Sequence, residues 1–288
     1  MKNNRNKDYK NNFTSKYVRK SEKVFNVISK ASADYKFLIL KSLNEHNASL
    51  KVLHIDTGLN YPSLNYNIKY LRNNGLIYKI GSDYAISNLG KILFLNLLQL
   101  KEAIDVTENY EYFLINHNIN HIPKESLVHI SSLKEASIYE LPRTDIFALE
   151  KMVSDIMDKS SYLHFIISEI NKIYINSISS MLQRHIPVTL IIPEELRYKF
   201  MNSMDGEILQ NAFNEKIFRL ITTSDKIEFN LFLTDFVMGL NLFFENGNLD
   251  KNNVLISKDE NSRLWAKSIF EECFDSADSK FGANTVIF

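Results

Sequence analysis

The chain has 288 residues, 45% of them hydrophobic, and 34 Lys and Arg balance 34 Asp and Glu. That length suits two domains and that apolar content suits packed cores. It holds no run of about 18 apolar residues to cross a membrane. Its start is polar where a secretory leader needs an apolar core. A single cysteine, Cys273, excludes an internal disulfide framework. The expectation is a cytoplasmic protein with no membrane partner.

The zero net charge conceals a polarised chain. Residues 1–102 carry 17 Lys and Arg against 7 Asp and Glu, a net of +10, and the remainder carries 17 against 27, a net of −10. Such asymmetry points to one part facing nucleic acid and a separate acidic part. Residues 1–30, rich in Asn and Lys and without apolar periodicity, are expected to form a disordered basic tail. That tail is either a DNA-grasping arm or a solubilising segment.

From residue 31 to residue 90 the pattern is that of a winged helix-turn-helix, a DNA-reading module. Phe37, Leu38, Leu40 and Leu43 have helical spacing. A short apolar helix follows with Leu50, Val52, Leu53 and Ile55, closed by Gly58. A further helix opens at Pro62 and Ser63, runs to Asn74 and stops at Gly75. Two β-prone runs, LIYKI and DYAIS, are joined by the turn pair Gly81-Ser82.

With Leu64, Ile68 and Leu71 facing the core, a 100° step per residue leaves Tyr66, Lys69, Tyr70 and Asn73 on the opposite face. Pro62 and Ser63 sit at the N-terminal end, where recognition helices meet base edges. The Asn73 amide can pair with adenine, Ser63 can serve several bases, and the tyrosine rings can meet thymine methyls. Lys69, Arg72 and the wing residue Lys79 suit phosphate contacts, which position the protein without reading sequence. Equally, Tyr66 and Tyr70 could pack against the first helix.

Residues 91–116 form one long helical pattern without Gly or Pro, with Ile92, Leu93, Leu97, Leu100, Ile104, Tyr110 and Phe113 at helical spacing. Three readings stand: a rigid connector, a dimer surface on its apolar first half, or a helix buried between two domains. His117 and His121 are four residues apart with His129 nearby, but Asn118, Asn120 and Pro123 break the helix that would align them on a metal. No metal and no cofactor is expected.

Residues 117–276 alternate strands with helices and are expected to form an α/β sandwich, at least partly parallel. A helix opening at Asp145 directs Ile146, Leu149, Met152, Val153 and Ile156 inward; YLHFIIS, IPVTLIIP, KIFRLIT, EFNLFLTD and FVMGLNLFFENG are strands. The last helix carries Leu264, Trp265, Ile269 and Phe270, and residues 277–288 are a tail. The fold expected overall is mixed: winged helix, connector helix, C-terminal α/β sandwich.

Three blocks carry a family resemblance: YLRNNGLIYKIGSDYAISNLGKI, FLINHNINHIP, and the stretch from LTDFVMGLNLFFENG to DENSRLWAKSIF. In the third, Thr234, Asp235, Gly239, Gly247, Asp250, Ser257, Asp259 and Trp265 match the family pattern, while Leu249 replaces a Tyr and Ala266 a Gly. The chain resembles the archaeal winged-helix regulators that carry the methanogenesis-regulatory middle domain. The resemblance implies a dimeric transcriptional regulator that binds double-stranded DNA. It also implies a C-terminal domain of the phospholipase D-type α/β fold used for ligand sensing in archaeal sugar regulators.

Phospholipase D chemistry needs a His followed two residues later by Lys, and no such pair exists in the chain. Neither a Gly-rich phosphate loop, a Gly-x-Ser-x-Gly elbow nor a paired-cysteine motif is present. Asp235 and Asp250 lie at a strand end and a turn, where Asp caps backbone groups. A non-enzyme is expected instead, whose C-terminal α/β domain senses a small-molecule effector or mediates dimerisation. Ser168, Thr222, Thr234 and Asp235 follow apolar strands and are candidates to line the effector crevice. The alternative is a winged-helix adaptor that binds a protein without specific DNA binding.

Overall fold

The computed structural model describes residues 34–281, and the basic tail expected over 1–30 lies outside them. The chain divides into two compact units, with the boundary in the sequence between Lys101 and Glu102.

The first unit opens with α1 (Asp34–Glu45), β1 (Ala48–Ser49) and α2 (Leu50–Thr57). Then come α3 (Tyr61–Asn73) and the hairpin of β2 (Ile77–Ile80) and β3 (Asp83–Ile86). The Ser49 hydroxyl accepts from the Val52 N–H at the head of α2, and Gly58 ends that helix at φ +68°, a left-handed conformation. Asn60 caps α3 by accepting from the Ser63 N–H at 2.9 Å, so the helix begins one residue before the Pro62-Ser63 signal. Leu64, Ile68 and Leu71, at i, i+4 and i+7, are buried with Ile39, Leu40, Leu43 and Leu53. In α1, Leu40 and Leu43 are buried and Phe37 packs on the core as expected, whereas Leu38 is exposed and Ile39 is buried instead. β1 pairs with β3, giving a three-stranded antiparallel sheet in the order β1-β3-β2. Gly90 is required for contact: a Cβ there would lie 2.0 Å from the Leu76 carbonyl oxygen.

The long helical pattern is two helices, α4 (Asn88–Asn109) and α5 (Glu111–Asn116). The expected single connector over 91–116 is interrupted at Tyr110, where the backbone turns to φ −111° and ψ 19°. Its hydroxyl reaches the carbonyls of Leu133 (3.2 Å) and Ala136, which holds the ring in the second core.

The second unit is built on an eight-stranded mixed sheet. Its strands are β4 (His117–Asn118), β5 (Ser137–Glu140), β6 (Leu163–Ile166), β7 (Val188–Pro193), β8 (Phe218–Thr223), β9 (Phe229–Leu233), β10 (Met238–Phe244) and β11 (Asn253–Ser257). The order is β5-β11-β10-β9-β6-β7-β8, with β4 on the end of β10. Only β6, β7 and β8 run parallel to one another; the other pairings are antiparallel.

Successive strand residues point to opposite faces and so fill two cores. Phe165, Leu190, Leu220 and Phe232 meet α7 (Ala148–Met157), α8 (Lys172–Gln183), α9 (Arg197–Ser203) and α10 (Gly206–Asn214). Ile166, Ile191, Ile221 and Leu231 meet α5, α6 (Lys124–Val128) and α11 (Glu260–Phe281). Asp145 accepts from the Phe147 N–H before α7, but Ile146 is 74% exposed and does not point inward as expected. Trp265, Ile269 and Phe270 of α11 are buried, whereas Leu264 is exposed. The expected tail from 277 begins within this helix, where Ala277 is buried, and residues 282–288 lie outside the description. Among the described residues no helix is long and apolar enough to cross a membrane.

Candidate functional site

α3 has two unlike faces. Leu64, Asn67, Ile68 and Leu71 are buried, and the Asn67 amide is spent on the Ser63 carbonyl at 2.8 Å. Pro62, Tyr66, Lys69, Arg72 and Asn73 are exposed, Tyr66 at 71%. Lys79 is exposed on β2. Among the described residues, no hydrogen bond or ion pair engages the side chain of Lys69, Arg72, Asn73 or Lys79. Ser63 is half-buried at the first turn.

The two tyrosines part company. Tyr66 projects into solvent, while Tyr70 packs on the first core with the Lys36 ammonium 4.7 Å above its ring. Asn65 joins the exposed face although the sequence reading passed over it. At 100° per residue it lies about 40° from Lys69, so the same helical step could have found it. Tyr78 adds a half-exposed ring on β2. Over residues 34–101 the count is 8 Lys and Arg against 4 Asp and Glu, so the described part of this unit is basic.

The four expected effector residues do not come together. The Ser168 N–H and hydroxyl both donate to the Asn230 side-chain oxygen beyond the C-terminal end of β6. Thr222 lies near the same end on β8 and faces opposite to Thr223. Thr234 and Asp235 lie at the other end of the sheet, where Asp235 accepts from the Ser161 N–H and the Thr234 carbonyl accepts from the Tyr162 hydroxyl. The Thr234 side chain is fully buried; its hydroxyl donates to the Val237 carbonyl and accepts from the Val237 N–H.

The remaining family positions hold backbone and core in place. Asp250 is buried in the β10–β11 turn and accepts from the N–H groups of Asn252 (2.8 Å) and Asn253 (3.1 Å) and from the Asn253 amide (2.7 Å). Burial works to raise its pKa, but hydrogen bonds from His117, Asn253 and the two backbone groups hold it below the ordinary carboxylate value. Asp259 caps α11 through the N–H groups of Asn261 and Ser262, and the Ser257 hydroxyl accepts from the Asp259 N–H. The Trp265 indole donates to the Ser126 carbonyl at 2.7 Å. A Cβ on Gly239 would sit 2.1 Å from the Phe232 ring.

His117 and His121 serve different carboxylates. His117 lies between the Phe244 ring (4.7 Å) and the Phe113 ring (4.4 Å), with one ring nitrogen 3.0 Å from Asp250 and the other 2.6 Å from the Phe113 carbonyl. His121 is 3.2 Å from Glu228, which also meets Asn118 and Lys226. Among the described residues no three His, Cys, Asp or Glu side chains are grouped to hold a metal ion.

Two of the cavities in the second unit adjoin residues already described. One, of about 430 Å³, opens at the C-terminal ends of β6, β7 and β8 over Ile166, Ile191 and Thr223, beneath Cys273. Burial, helped by Glu272 and Asp225, pushes the Cys273 thiol up to about 12. The other, of about 410 Å³, lies at the break between α4 and α5, with Tyr112 and Phe244 among its walls and the His117–Asp250 pair against it.

Residues 146–276 match the family model described as the methanogenesis regulatory protein FilR1, middle domain. The methanogenesis regulatory protein FilR1 of Methanothrix harundinacea (strain 6Ac) is 24% identical over 250 residues. The match takes in 84% of this chain and 55% of that protein, so the chain spans about half the length of its curated relative. Among solved structures, TrmBL2, an archaeal chromatin protein with a novel mode of DNA binding, gives a TM-score of 0.38 at 12% identity over 87% of this chain and 97% of that one. Nuc, a phospholipase D family member from Salmonella typhimurium, gives 0.36 at 15% identity over 49% and 91%. Scores this low do not fix a shared topology. Residues 146–276 are therefore similar to the FilR1 middle domain, and the chain resembles an archaeal regulatory protein that bears that name.

Proposed function

We propose that the chain is a transcriptional regulator that binds duplex DNA through the winged helix of its first unit. The observation that carries this reading is the face of α3, where Pro62, Tyr66, Lys69, Arg72 and Asn73 are exposed opposite a buried apolar stripe. Cations without internal partners, beside an amide and an aromatic ring, suit a helix laid in the major groove. Lys69, Arg72 and Lys79 contact phosphates in this reading, and Ser63, Tyr66 and Asn73 contact bases. Tyr70 acts through packing, since Lys36 and the core already occupy its ring. The regulator works as a homodimer, and its middle domain serves as a non-enzymatic sensor of a small-molecule effector.

Fluorescence anisotropy of the full chain tests this, with the duplex upstream of its own coding region and a scrambled duplex, over a salt series. Preference for the upstream duplex and a steep loss of affinity with salt support the reading. No binding to either duplex at low salt contradicts it and favours the protein adaptor.

A further inference from the structure

The cavity of about 410 Å³ at the α4–α5 break carries two opposite, solvent-exposed charges that have no partner among the described residues. Glu140, the last residue of β5, and Arg143, just past Pro142, both line it. Among the described residues neither side chain has a hydrogen-bond or ion-pair partner, and they are not paired with each other. An ionised Glu only accepts, and an Arg fork only donates, in a geometry that matches a carboxylate. The half-buried ring of Phe244 lies in the cavity wall, and the exposed Tyr112 ring and Asn109 and Asn252 amides stand at its open mouth. The His117–Asp250 pair contributes shape and no open valence, because each His117 nitrogen and both Asp250 oxygens already have partners.

We infer that this cavity binds a small zwitterion of the α-amino-acid class, its carboxylate in the Arg143 fork, its ammonium on Glu140 and its side chain against Tyr112 and Phe244. A ligand bearing one charge gains only one of these contacts and is repelled by the like residue. The volume falls within the range of small-ligand sites, and aromatic walls with a few placed polar groups are their usual lining. The inference rests on the sensing role proposed above and gives that role a place. Asn109 is the last residue of α4, the helix whose Phe94 packs in the first core and whose Val106 packs in the second. A ligand there touches an element common to both units and affects DNA binding if its affinity differs between the free and DNA-bound states.

The experiment is a thermal-shift and calorimetric screen of the full chain with the twenty α-amino acids. Phenylacetate and phenethylamine serve as the matched single-charge probes. One or a few amino acids should raise the melting temperature by about 5 °C at 100-fold above Kd, and neither single-charge probe should. Glu140→Gln and Arg143→Gln should melt at the wild-type temperature without ligand and lose the shift; Tyr112→Ala should weaken it.

Absence of any amino-acid shift, or a shift retained in both charge variants, overturns the inference. A cell metabolite extract separates the two levels. If it stabilises the wild type and the Glu140→Gln/Arg143→Gln double variant alike, this site falls and the sensor role stands. If it stabilises neither and no amino acid binds, both fall.

Discussion

The two units use polar residues in opposite ways. On α3 the Lys69, Arg72 and Asn73 side chains face solvent with no partner among the described residues, so they are free to meet another molecule. In the second unit, the polar positions that carry the family pattern are consumed by the fold: Thr234 by Val237, Asp250 by its own turn and His117, Asp259 by α11. A polar group without partners at a surface costs little and is available for recognition. A buried one is costly unless satisfied, and one whose partners all lie within the chain serves the fold. The comparison separates residues whose loss harms stability from those whose loss harms binding.

The largest effect is expected at Asp250. Asp250→Ala strands the His117 ring and three further donors in a buried site, which should reduce stability by about 3–5 kcal/mol in urea unfolding. A loss below about 1 kcal/mol would show that the turn does not depend on the carboxylate. Next is the acid limb of stability. The folded Asp250 pKa lies below its usual value of 3.8. Its contribution is therefore present above that usual value and drains away as pH falls through the lower folded value. Melting temperatures measured from pH 6 to pH 2 should fall more steeply in wild type than in Asp250→Asn; parallel curves would contradict the assignment.

A smaller, kinetic effect concerns Cys273. With its thiol raised to about 12 by burial, iodoacetamide at pH 7.5 should label the folded chain far more slowly than the urea-unfolded one. Equal rates would mean that the residue is open to solvent.

Much of the first unit was legible because its signals are local. Pro62 and Gly75 bracket α3, and the apolar residues at i, i+4 and i+7 set its buried face. The choice between Tyr66 and Tyr70 was not legible, since it depends on Lys36 and the first core, brought in by tertiary packing. The break at Tyr110 escaped for a similar reason: carbonyls at 133 and 136 hold the ring, and no Gly or Pro marks the spot. Strands β1 and β4 are two residues long, too short for alternation to show.

The effector residues failed on strand direction. Ser168 and Thr234 both follow apolar strands, but β9 runs antiparallel to β6, which sends their ends to opposite edges of the sheet. A single sequence shows where a strand ends without showing which way it points. The same limit concealed Glu140 and Arg143, which β5 carries to a cavity lined by residues 109–117 and 244–253.

The most direct test of DNA recognition by α3 compares Lys69→Ala and Asn73→Ala with wild type, by anisotropy on the upstream and scrambled duplexes over a salt series. Lys69→Ala should weaken both duplexes alike and lower the salt slope by about 1, whereas Asn73→Ala should cost about 1–3 kcal/mol on the upstream duplex alone. Wild-type binding by both variants, at every salt concentration and on both duplexes, would place the DNA contact elsewhere on the molecule and contradict the account.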